Sequence, residues 1–214
     1  MPSRRTVVKV CGLTRREDAA WALACGADWL GFIVHAESPR LIEPGEAARI
    51  VDAVGGGVAV AVMHGVTPER ALELARRAHA HRVQLHGVSA RDWPADFPLP
   101  CAFVVGVTPE GALVGEEPPE RHLLLLDTSI KGRTGGTGQV WPWALARPIT
   151  ARRDVMLAGG LSGDNVAEAI RALHPFGVDA ASSLESSPGC KDPERVRRFV
   201  EAARLSETTP KEVR

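Results

Sequence analysis

Cysteine is scarce in this sequence, and neither sign of charge is in excess. The four cysteines, Cys11, Cys25, Cys101 and Cys190, form no CxxC pair and no spacing typical of a metal site. Lys plus Arg and Asp plus Glu are equal at 26 each, so no global charge favours nucleic acid or an anionic membrane surface as a partner. Free thiols in a reducing cytoplasm are the simplest interpretation.

Long apolar runs and cofactor motifs are also missing. No stretch reaches the roughly 18 apolar residues of a membrane span, and the basic N-terminus lacks an apolar core of signal-peptide length. No GxGxxG follows the first apolar run, which counts against a dinucleotide-binding fold. His79 and His81 form an HxH motif with His86 nearby, but no further ligand completes the set, so we expect no metal site.

The sequence does contain short apolar runs that alternate with helical patterns. Runs rich in Val, Leu and Ile predict strands covered on both faces at Val7–Cys11, Trp29–Val34, Val58–Met63, Arg82–His86, Ala102–Val107, Leu123–Asp127, Val155–Ala158 and Val178–Ser182. Helices are expected at Arg16–Cys25, Pro44–Val54, Pro68–Ala80, Asp164–Leu173 and Pro193–Leu205. Thr14, Thr67 and Asp192 are the expected N-caps. The segments after the fourth, fifth and sixth strands are short and rich in Pro or Gly, so their helices should be small or missing.

Strands that alternate with helices predict parallel βαβ units, and this length favours a closed (β/α)8 barrel, the TIM barrel, over an open doubly wound sheet. Residues 1–205 should form one domain, because no linker interrupts them, and residues 206–214 should form a polar tail. In such a barrel the catalytic groups lie at the carboxyl ends of the strands. Those ends carry Cys11, His35, His64, His86, Asp127, Gly159, Gly160, Ser182 and Ser183.

The turns after the seventh and eighth predicted strands are suited to an anion. Gly159 and Gly160 stand between a strand and a helix, where backbone N–H groups can approach a phosphate closely. Ser182 and Ser183 add hydroxyls and further amides. Loops at these two places commonly bind phosphate in this fold, so we favour a phosphate site over two turns that merely close the barrel.

Three other side chains are candidates for chemistry. Asp127 ends the apolar strand LLLLD, where partial desolvation favours the protonated form that a general acid needs; capping of the next loop is the alternative. Arg40 suits a carboxylate on a ligand, with an exposed loop arginine as the alternative. Cys11, taken alone, is more simply a packed thiol than a reactive one. The Gly-rich loop 128–138 is expected to act as a lid.

Together these segments resemble the phosphoribosylanthranilate isomerase family of tryptophan biosynthesis. The matching segments run in order from Lys9 to Asp192 and read KVCGLT with EDA, GADWLGFIV, SPR, QLHG, LLLLDT with GGTG and Trp143, AGGL with NV, and GVD followed by Ser, Glu and PGCKD. The resemblance implies an Amadori rearrangement of N-(5-phosphoribosyl)anthranilate, with Asp127 as the general acid and Cys11 as the general base.

The resemblance also assigns the binding residues. It implies that Arg40 holds the anthranilate carboxylate, that His86 lies near the substrate, and that the phosphate is held by Gly159, Gly160, Ser182 and Ser183. No metal or organic cofactor is implied, because the substrate's own nitrogen stabilises the intermediate. The expected partner is a small phosphorylated substrate, and the chain is expected to be a cytoplasmic monomer or homodimer.

Three positions depart from the usual family pattern: Ser183 stands where Gly is usual, His64 where Asn is usual, and Gln139 where Lys is common. These departures concern affinity and fine specificity. A paralogue acting on another phosphoribosylamine, suggested by His64, stays open, as does a barrel that only binds a phosphosugar, although such a binder needs neither Cys11 nor Asp127. Indole formation by a related barrel is disfavoured, since no lysine stands at a suitable strand end.

Lys9 precedes Cys11 by two residues on the same predicted strand. Side chains two residues apart on a strand share a face, so the Lys9 ammonium should lie beside the thiol and the substrate. A neighbouring positive charge is expected to lower the thiol pKa.

Overall fold

The computed structural model describes residues 5–108, 110–127 and 143–208. Within them, one closed parallel sheet is built from β1 (Val7–Val10), β2 (Trp29–His35), β3 (Val58–His64), β4 (Arg82–His86), β5 (Cys101–Val107), β6 (Leu123–Asp127), β7 (Val155–Leu157) and β8 (Gly177–Ala180). Each strand pairs in parallel with the next along the chain, and β8 returns to β1. The predicted (β/α)8 barrel is confirmed.

Helices cover the outside of this sheet. They are α1 (Arg16–Ala24), α2 (Pro44–Val54), α3 (Pro68–Arg77), α4 (Arg147–Thr150), α5 (Val166–Leu173) and α6 (Pro193–Thr208). Residues 87–100, between β4 and β5, contain no helix, and α4 is a single turn that follows the 3-10 turn Trp143–Ala146. Between β5 and β6 the described residues hold only the short strand Leu113–Val114, which pairs with β5. Within the described residues, the expected lack of long helices in this half of the barrel is confirmed. No helix in the described ranges is long and apolar enough to cross a membrane.

Two of the three predicted N-caps are present. Thr67 Oγ1 accepts a hydrogen bond from the Arg70 N–H at 3.3 Å, and Asp192 Oδ1 accepts from two amides in the first turn of α6 at 2.9 and 3.0 Å. Thr14 is not a cap, because α1 has Arg15 at its N-cap. The Thr14 hydroxyl instead donates to the Gly189 carbonyl at 2.6 Å, which joins the first βα loop to the loop after β8.

The last helix extends beyond its predicted end. It runs to Thr208, three residues past Leu205, and Ser206 is buried with its hydroxyl donating to the Ala203 carbonyl at 2.6 Å. The polar tail therefore does not begin at residue 206, and residues 209–214 lie outside the described ranges. Helix α5 begins at Val166, two residues after the predicted start.

The barrel interior and the layer beneath the helices form separate apolar clusters. Val8 and Val10 are fully buried under the helices, whereas Cys11 belongs to the interior cluster, as strand alternation requires. The amino end of the interior is filled by Trp29, whose ring contacts Phe176 and lies 4.5 Å from the Arg82 guanidinium carbon.

Candidate active site

Cys11 lies just past the end of β1, at the carboxyl rim of the barrel. Its side chain is buried, with a relative exposure of 5%, and its N–H donates to the Ala180 carbonyl of β8 at 2.9 Å. Gly31 of β2 stands directly beside it: a Cβ added there would lie 2.7 Å from Cys11 Sγ. The missing side chain of Gly31 therefore makes the space that the thiol occupies.

Lys9 points into the barrel beside Cys11, as strand alternation predicted. Its ammonium is completely buried and forms an ion pair with Asp179 of β8 at 2.8 Å. The two residues are register partners of β1 and β8. The ammonium also acts electrostatically on the Cys11 thiol, so the three side chains form one buried polar cluster.

The electrostatics of this cluster only partly match the prediction. Burial raises the pKa of the Cys11 thiol, the Lys9 ammonium acts in the lowering direction, and the Asp179 carboxylate raises the pKa again. The sign predicted for Lys9 is correct, but the net pKa of the thiol is raised, because burial is the largest effect. Sequence reasoning missed Asp179, although a lone acid in the buried GVDA strand is itself a signal of a polar partner inside the barrel.

Asp127 and His86 occupy other strand ends on the same rim. Asp127 is the half-buried last residue of β6, and His86 is the last residue of β4. Burial lowers the pKa of His86 to about 4, while nearby Asp127 acts in the raising direction. One ring nitrogen of His86 lies 3.0 Å from the Gln84 amide nitrogen. A neutral imidazole can hydrogen bond to a ligand, but it is not a proton source near neutral pH.

Arg40 is anchored and is not a loose surface side chain. Its Nε and Nη2 donate to the two carboxylate oxygens of Glu185 at 2.8 and 2.7 Å. The aliphatic part of its side chain lies against Gly12, where an added Cβ would be 2.7 Å from Arg40 Cδ. Glu185 also accepts from the Lys191 ammonium at 2.9 Å. No role for Glu185 or Lys191 was predicted from the sequence.

The loops after β7 and β8 lie side by side, as the phosphate prediction requires. Gly159 and Gly160 have φ of +82° and +71°, and a Cβ at Gly160 would meet no atom within 4 Å, so this turn faces open space. Ser182 is exposed and begins the 3-10 turn Ser182–Leu184. The Ser183 hydroxyl donates to the Leu161 carbonyl, so it joins the two loops, and its proton is not directed at a ligand.

Asn165 shapes the first of these loops and was not predicted. Its side-chain amide donates to the Gly160 carbonyl at 2.9 Å, and its oxygen accepts from the Ser162 N–H at 2.8 Å. An Asn just after a glycine turn is the sequence signal that could have identified it.

The remaining histidines do not converge on a metal. His79 bonds to Asp52 at 2.8 Å, and His81 Nδ1 accepts from the Ala59 N–H at 3.0 Å. Across the described ranges, no group of three His, Cys, Asp or Glu side chains could hold a metal ion. His64 packs against Gly87 and borders a groove of about 720 Å³ beside the rim, outside the barrel interior. The predicted lid 128–138 and Gln139 lie outside the described residues.

Comparison with known proteins finds one family that matches nearly the whole chain. The model of the N-(5'-phosphoribosyl)anthranilate (PRA) isomerase family matches residues 8–202. An N-(5'-phosphoribosyl)anthranilate isomerase of Trichlorobacter lovleyi is 39% identical over 92% of this chain and 97% of its own length. One of Rubrobacter xylanophilus is 40% identical over 92% of this chain and 98% of its own length.

Solved structures agree with these relatives. The crystal structure of phosphoribosyl anthranilate isomerase from Thermotoga maritima has a TM-score of 0.79 at 31% identity, covering 94% of this chain and 99% of that one. A phosphoribosyl anthranilate isomerase in complex with reduced 1-(o-carboxyphenylamino)-1-deoxyribulose 5-phosphate has a TM-score of 0.75 at 30% identity, with the same coverage.

Proposed function

The chain belongs to the N-(5'-phosphoribosyl)anthranilate isomerase family and is an isomerase of tryptophan biosynthesis, and we propose that Cys11 and Asp127 are the base and the acid of its reaction. The observation that carries this assignment is their placement. A buried thiol that is under the electrostatic influence of a buried ammonium lies at one strand end of the rim, and a half-buried carboxyl group lies at another. The substrate is a phosphorylated small molecule, N-(5-phosphoribosyl)anthranilate.

The reaction starts at the ribose ring. Asp127, in its protonated form, donates its proton to the ring oxygen. The bond between C1 and that oxygen breaks, and the lone pair of the anthranilate nitrogen forms the C1=N bond of a Schiff base. The Asp127 carboxylate remains.

Proton abstraction follows at the next carbon. The Cys11 thiolate removes the proton from C2; the C–H electrons form the C1=C2 bond, and the C=N electrons return to nitrogen. The enolamine then loses its C2 hydroxyl proton and gains a proton at C1, which gives the ketone. The Lys9 ammonium, which acts to lower the thiol pKa, favours the thiolate that this step requires.

The remaining predicted residues hold the two ends of the substrate. Arg40 binds the anthranilate carboxylate and neutral His86 contacts the substrate between the two ends. The amides of Gly159, Gly160 and the Ser182–Ser183 turn bind the phosphate. The open space in front of Gly160 supports this assignment.

A barrel that only binds a phosphosugar has no use for the cluster around Cys11. Burying a lysine and an aspartate inside the barrel is costly even when they are paired, and in this chain both members of the pair act electrostatically on the Cys11 thiol of the interior cluster. This favours catalysis over binding alone.

The function is tested by adding wild-type protein to N-(5-phosphoribosyl)anthranilate and following the loss of its fluorescence. We expect complete and enzyme-dependent loss, with the ketose phosphate as the product. Protein that is folded but inert toward this substrate would contradict the assignment and favour a paralogue with another phosphoribosylamine as substrate.

Gly160→Asp tests the phosphate site. The change places a carboxylate in the open turn at a φ of +71°, so we expect KM to rise by about 100-fold, since a repelled phosphate loses several charge-assisted hydrogen bonds. Gly55→Asp is the matched control, because Gly55 has a φ of +61° with open space around it and lies after α2. An unchanged KM in Gly160→Asp would remove this turn from the site.

Gly31→Ala tests the placement of Cys11. The new methyl group would lie 2.7 Å from the thiol and 3.1 Å from Lys9 Cε, so the base must move. We expect kcat to fall by about 10-fold to 100-fold, because small misplacements of a catalytic group are costly. Gly45→Ala, where a Cβ meets nothing within 4 Å, is the control. If Gly31→Ala retains the kcat of the control, the position of the thiol does not limit the reaction.

A further inference from the structure

Glu185 is a buried carboxylate that holds two cations at the rim. Its side chain is only 4% exposed, and it bonds to the guanidinium of Arg40 through two contacts and to the Lys191 ammonium through a third. The Lys191 ammonium also donates to the Ala181 carbonyl at 3.0 Å. Burying these charges costs free energy. The arrangement is best explained by its effect on the position of Arg40, the side chain proposed to bind the ligand.

Arg40 is fixed at both its stem and its head. The aliphatic part of its side chain passes close to Gly12, which has no side chain to block it. Glu185 accepts hydrogen bonds from the edge of the guanidinium formed by Nε and Nη2. In the described part of the chain, no acceptor contacts Nη1. A planar guanidinium bound along one edge presents its other edge in a fixed direction, and that edge matches the two oxygens of a second carboxylate.

Glu185 is itself held in place by its own hairpin and by the neighbouring first βα loop. The Gly189 N–H donates to Glu185 Oε1 at 3.3 Å, and the Gly189 carbonyl accepts from the Thr14 hydroxyl. The Lys191 N–H donates to Asp18 in α1 at 3.0 Å. The short hairpin of Glu185–Ser187 and Cys190–Lys191 is thus joined to the first βα loop, so the carboxylate cannot easily follow a moving Arg40.

We propose that Glu185 is a positioning residue that makes the site selective for an arylamine carrying an ortho carboxylate, by orienting Arg40 toward that group. This inference rests on the proposed role of Arg40 in binding the anthranilate carboxylate. Glu185 does not touch the reacting atoms, so its contribution is to substrate selection and KM, not to proton transfer.

The test compares two stable ligands in the wild type and in Glu185→Gln. The probes are the reduced adducts of ribose 5-phosphate with anthranilate and with aniline, which differ only in the carboxylate. Wild type should bind the anthranilate adduct more tightly, and Glu185→Gln should reduce this preference by about tenfold while binding the aniline adduct as well as wild type does. KM for the natural substrate should rise by a similar factor, with kcat within about threefold. Glu73→Gln, which breaks an exposed ion pair on α3, should change neither.

A second variant controls for misfolding, because Glu185→Gln leaves the buried Lys191 ammonium without its charged partner. Glu185→Gln combined with Lys191→Met removes that ammonium as well, and it should show the same tenfold loss of preference. An unchanged preference in a folded variant, or an equal loss for both adducts, would overturn the inference. The proposed function fails separately: it fails if wild type binds neither adduct or does not consume the natural substrate.

Discussion

Cys11→Ser is expected to lower kcat/KM by about 10³-fold, the largest loss among the rim variants together with that of Asp127→Asn. A general base contributes roughly 10²-fold to 10⁴-fold, and a serine hydroxyl in the same place is much harder to deprotonate than a thiol. Serine is slightly smaller than cysteine, so the barrel interior should accept it beside Gly31. The measurement is steady-state turnover of N-(5-phosphoribosyl)anthranilate, with the reduced anthranilate adduct to confirm that binding is kept.

Cys101→Ser is the matched control for this variant. Cys101 is also buried, but it lies on β5 and its thiol donates to the Leu99 carbonyl at 3.3 Å, a bond that serine can keep. Its turnover should equal that of wild type. If Cys11→Ser retained more than about a fifth of wild-type turnover, another group would have to be the base.

The pH profile of wild type gives independent evidence on the same residue. Burial raises the thiol pKa above its ordinary value, so most of the free enzyme carries a neutral thiol near neutral pH. Because the reaction needs the Cys11 thiolate and the protonated Asp127 carboxyl group together, kcat/KM should give a bell-shaped pH profile. Alkylation of Cys11 by iodoacetamide needs the thiolate alone, so its rate should rise with pH until the raised thiol pKa is passed.

Much of this architecture follows from patterns that act over short distances in the sequence. The alternation of side chains along β1 places Lys9 and Cys11 on one face, and the rule that strand ends carry the site places Cys11, His86 and Asp127 on one rim. Parallel pairing in chain order then fixes their neighbours. For these residues, local periodicity and one topological rule are sufficient.

The electrostatic partners could not be found in this way, because they depend on how the barrel closes. Lys9 and Asp179 are 170 residues apart, and Arg40 and Glu185 are 145 apart. Nothing near Lys9 in the sequence indicates how strongly burial will raise the thiol pKa, or that a carboxylate will oppose the lysine charge, so the net pKa of the thiol could not be predicted from Lys9 alone. Closure of the barrel also explains why Thr14 does not cap α1. Its hydroxyl donates to the carbonyl of Gly189 in the loop after β8.

The end of α6 was missed for a different reason. Val196, Phe199, Val200 and Ala203 form its buried face, and Ser206 continues this face at helical spacing. A serine there looks like the start of a tail, but its hydroxyl donates to the Ala203 carbonyl and so is satisfied within the helix. The helical spacing of the buried residues correctly indicates that α6 continues past Leu205, whereas the polarity of Ser206 suggests that it ends there.

Asp127→Asn is expected to lower kcat/KM by about 10²-fold to 10⁴-fold, because an amide cannot give a proton to the ribose ring oxygen. His86 cannot replace it as an acid: burial lowers the pKa of its imidazole to about 4, so it is neutral when the enzyme works. Asp52→Asn, at an exposed partner of His79, is the control and should keep full turnover.

Substrate deuterated at C2 separates the acid role of Asp127 from the base role of Cys11. In Asp127→Asn, ring opening becomes the slow step and precedes cleavage of the C2–H bond, so the deuterium isotope effect on kcat/KM should fall towards unity. In Cys11→Ser, cleavage of that bond becomes the slow step, so the effect should increase. An increased isotope effect in Asp127→Asn would mean that this carboxyl group acts at C2, and the two assignments would have to be exchanged or merged. Opposite changes in the two variants are the result that only an acid acting at the ring oxygen and a base acting at C2 can produce.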